Sequence, residues 1–242
     1  MGHGTPDWWG SEPGETTFQV QDVGELAARL GSIDTFDRRG NVVFLESFEE
    51  GLSKWTLFHA GTADDILLST TYPKHGAYSV KLIGGSGVGH YVQIRHREPI
   101  PVLSRIGFEF SWAPDSDMST IEQYLYWYDG TNDYTWAVRY VVSTHALQVR
   151  DSAGNWQTIT TAWIPSLTYS TSHVWKLVVD LETGEYAFLI VDQNGYDLSA
   201  YSGQFLSAGL GPYLSMDLFY YSTAGKNSVC YIDDVIITQN EP

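Results

Sequence analysis

From Val42 to the end of the chain, the sequence is written in short segments of two-residue period cut apart by turn chemistry, a pattern that few folds satisfy. Candidate strands are 42–48, 55–60, 65–70, 78–83, 90–96, 105–112, 121–128, 134–142, 147–151, 156–161, 173–180, 186–192, 214–221 and 228–238. Between them stand Asp129-Gly130, Ala153-Gly154-Asn155, Thr183-Gly184 and Asn194-Gly195, which supply the positive φ that tight hairpins require. That is too many strands for one sheet. The expected fold is all-β: two packed antiparallel sheets, each with one face on the core and the other on water.

Composition closes other doors. Charged residues are 17%, hydrophobic residues 43% and aromatic residues 14%, which fits neither a disordered chain nor a coiled coil. Thirteen Lys and Arg against 29 Asp and Glu leave a net charge of −16. Such a chain repels phosphates and anionic lipid, so neither nucleic acid nor membrane is expected as a partner. Cys230 stands alone, so the fold rests on no intramolecular disulfide and no cysteine-rich zinc site. No apolar run reaches the roughly 20 residues of a membrane-spanning helix. The first nine residues lack the basic and apolar regions of a signal peptide, and export through one is not expected.

Residues 1–40 differ in character from the rest of the chain and read as an arm ahead of a domain at 41–242. The arm holds Trp8 and Trp9 and one short helix at about 22–30. Asp22 and Glu25 have capping-box spacing, and Gly31 follows the last turn. Val23, Leu26, Ala27 and Leu30 form one apolar stripe. So short a helix is unstable alone in water, so its stripe must dock on the domain or on a neighbouring molecule.

Phe48-Glu49-Glu50-Gly51-Leu52-Ser53-Lys54-Trp55, His75-Gly76-Ala77-Tyr78-Ser79-Val80-Lys81-Leu82 and Tyr231-Ile232-Asp233-Asp234-Val235-Ile236-Ile237 stand in order across the domain. Together they resemble the opening FE-x-G-x-x-x-W element, the G-x-x-S-x-K-L strand and the closing Y-I-D-D-V strand of the jelly-roll carbohydrate-binding modules, a galactose-binding-like superfamily. The resemblance covers roughly 42–238 and implies a jelly-roll sandwich. It also implies a structural calcium ion, held by the carboxylates of Glu49 and Asp233 and by carbonyls near Lys74 and Gly76. Alternation would put Asp233 on one face with Val235 and Ile237, as a partly buried carboxylate in need of a partner. Backbone amides, or Lys54 and Lys74, could meet that need in place of calcium.

Catalytic patterns are sparse. The paired carboxylates of a jelly-roll glycosidase are absent as a Glu-x-Asp-x-x-Glu triplet. Gln93-Ile94-Arg95-His96-Arg97 offers three of the four residue types used by polysaccharide lyases of this architecture, but no tyrosine-bearing partner strand is recognisable. There is no nucleophile elbow, no histidine pair at zinc spacing, and no phosphate loop in Gly84–Gly89. The chain is therefore expected not to be an enzyme.

The remaining signal is aromatic. On 121–128, alternation puts Glu122, Tyr124, Tyr126 and Tyr128 on one face. The next strand would set Thr135, Ala137 and Arg139 beside them. Rings stack on sugar C–H faces while charged groups bond hydroxyls, so Glu122, Tyr124, Tyr126 and Arg139 form a candidate surface for glycan or protein contact. Gly24–Val42 is similar to a lead-in of phage structural proteins. That likeness, the arm and the missing leader make the first expectation a non-enzymatic virion-surface protein, a capsid-decoration or tail-associated component. It would be assembled in the host cytoplasm and joined through Trp8, Trp9, Val23, Leu26 and Leu30 to other virion proteins or copies of itself. The alternative is a glycan-binding module, secreted or on a host-recognition device. A lyase or glycosidase comes third.

Overall fold

A computed structural model describes residues 39–99, 102–207 and 212–242. The arm, with Trp8, Trp9, Val23, Leu26 and Leu30, lies outside the described residues. Among the described residues, sixteen strands succeed one another in chain order. They are β1 Asn41–Glu46, β2 Thr56–His59, β3 Asp65–Ser69, β4 Ser79–Ile83, β5 Tyr91–Glu98, β6 Arg105–Pro114, β7 Met118–Tyr128 and β8 Asn132–Val141. Next come β9 Ala146–Arg150, β10 Trp156–Thr160, β11 His173–Asp180, β12 Tyr186–Val191, β13 Asn194–Asp197, β14 Gln204–Ser207, β15 Tyr213–Ser222 and β16 Val229–Gln239. They form two antiparallel sheets. Sheet A runs β13-β12-β11-β6-β16-β4-β3, with β1 also on β16, and sheet B runs β10-β9-β8-β7-β15-β5-β2, with β14 on β8. The all-β, two-sheet expectation is met.

The two sheets enclose one core because alternate residues of each strand are large and apolar. Sheet A contributes Phe108, Phe110 and Trp112 from β6 and Trp175 and Leu177 from β11. Sheet B contributes Trp136, Val138 and Tyr140 from β8, and Met216, Leu218 and Tyr220 from β15. Each of these large apolar side chains stabilises the fold by roughly 1.5–3 kcal/mol relative to exposure. Tyr186 of β12 pins the layers together: its hydroxyl accepts from the Ala137 amide at 2.7 Å and donates to the Arg150 carbonyl at 2.7 Å.

Two details depart from the sequence reading. Asn194-Gly195 is not a turn but the start of β13; the bend comes earlier, and Asp192 carries its positive φ of 52°. In β16 the register slips between Asp233 and Ile236, with Asp234 left-handed at φ 50°. This bulge resets the alternation: Ile232 and Val235 both reach the core. Asp233 therefore does not share a face with Val235 and Ile237. It lies on the outer side of sheet A with Tyr231.

Candidate functional site

On β7 the core takes Ile121 and Leu125, which turns Glu122, Tyr124, Tyr126 and Tyr128 outward from sheet B. The rings of Tyr124 and Tyr126 stack at 5.5 Å and 9°, and those of Tyr126 and Tyr128 at 6.5 Å and 18°, so the three form a ladder along the strand. Arg139 sits opposite Glu122 on β8. Its Nη1 lies 3.4 Å from Glu122 Oε1, its Nε donates to Gln148 Oε1 at 2.8 Å, and its guanidinium covers the Trp156 ring at 4.1 Å. Glu122, Tyr124, Tyr126 and Arg139 are thus gathered on one partly buried surface. Burial pushes the carboxyl of Glu122 above the usual carboxylate range, with Arg139 pulling the other way. Burial also raises the phenols of Tyr124 and Tyr126, which stay protonated at neutral pH.

The other half of this face was not read from the sequence. Between β5 and β7 runs β15, whose outward residues are Tyr213, Ser215, Asp217, Phe219 and Tyr221. Asp217 is wholly buried and receives Gln93 Nε2 at 2.5 Å, Ser215 Oγ at 2.9 Å and a two-pronged grip from Arg95, with Nη2 at 2.7 Å. Burial raises its carboxyl while Arg95 opposes the shift. Arg95 also lies over Phe58, and Arg97 over Tyr213 at 4.6 Å. Phe219 joins the ladder edge-on at Tyr124 and meets Tyr91 beyond, giving a continuous aromatic strip across three strands. The outward period of β15 was visible in the sequence; its place between β5 and β7 was not.

His96 stands apart from Arg95 and Arg97. It points toward the core, stacked on Phe44 at 3.8 Å, with Nδ1 3.0 Å from the Lys54 carbonyl and Nε2 2.8 Å from Glu98. Its ring is locked into packing rather than offered to the outer face.

At the expected calcium position the loop between β3 and β4 offers amides. Glu49 Oε1 accepts from the Ala77 and Tyr78 N–H groups, and Asp233 Oδ2 accepts from those of Lys74 and His75. Gly76, at φ 66°, leaves no room for a Cβ against Glu49. Asp234 pairs with Lys74 at 3.2 Å and with His75 at 2.6 Å. Calcium needs six to eight oxygen donors, whereas this loop turns N–H groups inward. Among the described residues, no three His, Cys, Asp or Glu side chains gather as a metal set. Glu49 and Asp233 do not fit a calcium cage as arranged here; they serve as a clasp for the loop.

No family model matches the sequence, and no curated protein matches it. Solved structures do share the fold. An alginate lyase from Chlorella virus superposes with a TM-score of 0.57 at 11% identity, over 82% of this chain and 100% of that one. A sialidase superposes at 0.52 and 8% identity over 83% of this chain, which spans about a fifth of the sialidase. Carbohydrate-binding modules of the β-sandwich superfamily are also among the neighbours, at 0.48 and 11% identity, over 84% of this chain and 64% of that one. The alginate lyase and the sialidase share the two-sheet sandwich fold of this chain. They also correct the expectation that the chain is not an enzyme. A sandwich of this fold makes up the whole chain in that alginate lyase structure. β15 pairs with β5, the strand of Gln93–Arg97, and carries Tyr213 and Tyr221.

Proposed function

We propose that the outer face of sheet B engages a polysaccharide chain, with acid-bearing chains as the preferred ligands. The observation that carries this reading is the ladder Tyr124-Tyr126-Tyr128 flanked by arginines on both sides. Such rings stack on sugar faces, and guanidinium groups hold carboxylate or sulfate in a fork. In a chain of net charge −16, four of the eight arginines, Arg95, Arg97, Arg139 and Arg150, lie on this one face. Beside Glu122 and Arg139 the surface dips into a hollow of about 320 Å³ that also touches Thr120 and Tyr221.

Cleavage of the bound chain is the second reading. Gln93 and Arg95 converge on Asp217 with Tyr126 beside them, where an amide and a guanidinium could hold a uronate carboxylate next to a protonated phenol. The donors of Gln93 and Arg95 rest on Asp217, so a substrate carboxylate must compete for them. Binding therefore ranks first. Attachment to a virion through residues 1–40 is compatible with either reading, and so is secretion. In each case the face meets glycans outside a cell.

The test is affinity electrophoresis of the full chain through gels holding alginate, pectate, xylan or galactan, with release of unsaturated or reducing ends read on the same samples. Retardation by an acidic polysaccharide, weakened about tenfold by Tyr126→Ala, supports the reading. Equal mobility in every gel, with no ends released, would overturn it.

A further inference from the structure

A second cluster of rings lies on the opposite sheet. Tyr72 follows β3, Tyr169 precedes β11 and Tyr231 belongs to the outer side of β16. Tyr72 and Tyr169 stack at 5.0 Å and 26°, and Tyr231 meets them edge-on at 5.1 and 5.3 Å. The three line a cavity of about 240 Å³, and Tyr72 remains 40% exposed at its mouth. The other walls are polar: Lys74 donates to Ser111 Oγ at 2.8 Å, and Asp233 and Ser170 complete the lining.

We propose that this cavity is a separate binding site for a single pyranose ring, the end or a branch of a glycan. Two features converge. The volume falls below the roughly 300–1,000 Å³ of sites for drug-sized ligands, which suits one ring rather than an extended chain. A tyrosine platform beside an ammonium, a carboxylate and hydroxyls matches the alternation of C–H faces and hydroxyls on a sugar. An aromatic cage for a quaternary ammonium is the obvious rival, since tyrosines also attract cations. It fails on geometry and charge: the rings fill the space between one another, and the Lys74 ammonium occupies the wall. The site stands independently of the sheet B reading, because it shares no residue with that face and its ligand is a ring rather than a chain.

Saturation-transfer NMR on the full chain tests it, with methyl glycosides of galactose, glucose, mannose and N-acetylglucosamine as probes and choline as the rival. At least one glycoside should bind. Tyr72→Ala should weaken it about tenfold, Ser170→Arg at the exposed rim should abolish it by filling the cavity, and Tyr126→Ala should leave it intact. Binding of none of the glycosides, binding that survives Ser170→Arg, loss in Tyr126→Ala, or binding of choline instead would overturn the proposal. Because Ser170 is exposed, its variant tests the cavity even if Tyr72→Ala folds poorly.

Discussion

The outer faces of the two sheets both carry charged pairs, and they use them differently. On sheet A, Lys176 and Glu241 are wholly buried and meet at 2.8 Å, closed off from any ligand. On sheet B, Asp217 is just as buried, but its partner Arg95 stays partly exposed and sits among half-buried rings. A buried ion pair is therefore no mark of a site by itself. The sheet B face is distinguished by charge anchored from below while rings and guanidinium groups remain reachable from above.

Breaking the closed pair should give the largest effect. Lys176→Met takes the cation from the buried Glu241 carboxylate, which keeps the Thr238 hydroxyl, and unfolding in urea should show a loss of about 3–5 kcal/mol. Retardation by polysaccharide should not change. A smaller stability loss is expected where the sheets are pinned: Tyr186→Phe leaves the Ala137 amide without its acceptor and should cost about 1–3 kcal/mol in the same assay. On the open face the balance reverses. Arg97→Ala should weaken binding of an acidic chain roughly fivefold at low salt, with the difference shrinking as salt rises, while stability moves by less than about 0.5 kcal/mol.

A pH-dependent effect concerns Asp233. Burial, and then the neighbouring Asp234 charge, lift its carboxyl to about 6 in the folded protein. The ordinary aspartate value is near 3.9, so the folded state binds the proton more tightly than the unfolded chain. That contribution to stability is complete below about pH 4 and is lost as pH rises through 6. Relative to Asp233→Asn, the wild type should lose about 5–9 °C of melting temperature between pH 4 and 7. Calcium chloride and a chelator should leave the curves superimposed.

Much of this contrast was legible in the sequence, and the parts that were not share one physical cause, the separation of their residues along the chain or a break in alternation. Alternation placed Tyr124 and Tyr126 beside Arg139 because β7 and β8 are joined by a short hairpin, whose register is local. It could not place Asp217 between Arg95 and Tyr124, since β15 arrives from more than 80 residues away, and periodicity carries no strand order. Alternation failed outright at Asp233, where a non-glycine residue bulges and shifts the face by one. The histidine of Gln93–Arg97 was read with its neighbours as one group, although period two divides His96 from Arg95 and Arg97. The three-tyrosine cavity draws on three distant segments, and nothing in the sequence joined them.

Oxidative footprinting of the full chain, with and without the polysaccharide that retards it, tests the central claim most directly. The account expects protection at Tyr124, Tyr126 and Tyr128, together with Trp156 and Tyr213, and no protection at Tyr72 or Tyr169 from an unbranched chain. Protection that spares the β7 ladder and falls on sheet A would contradict it.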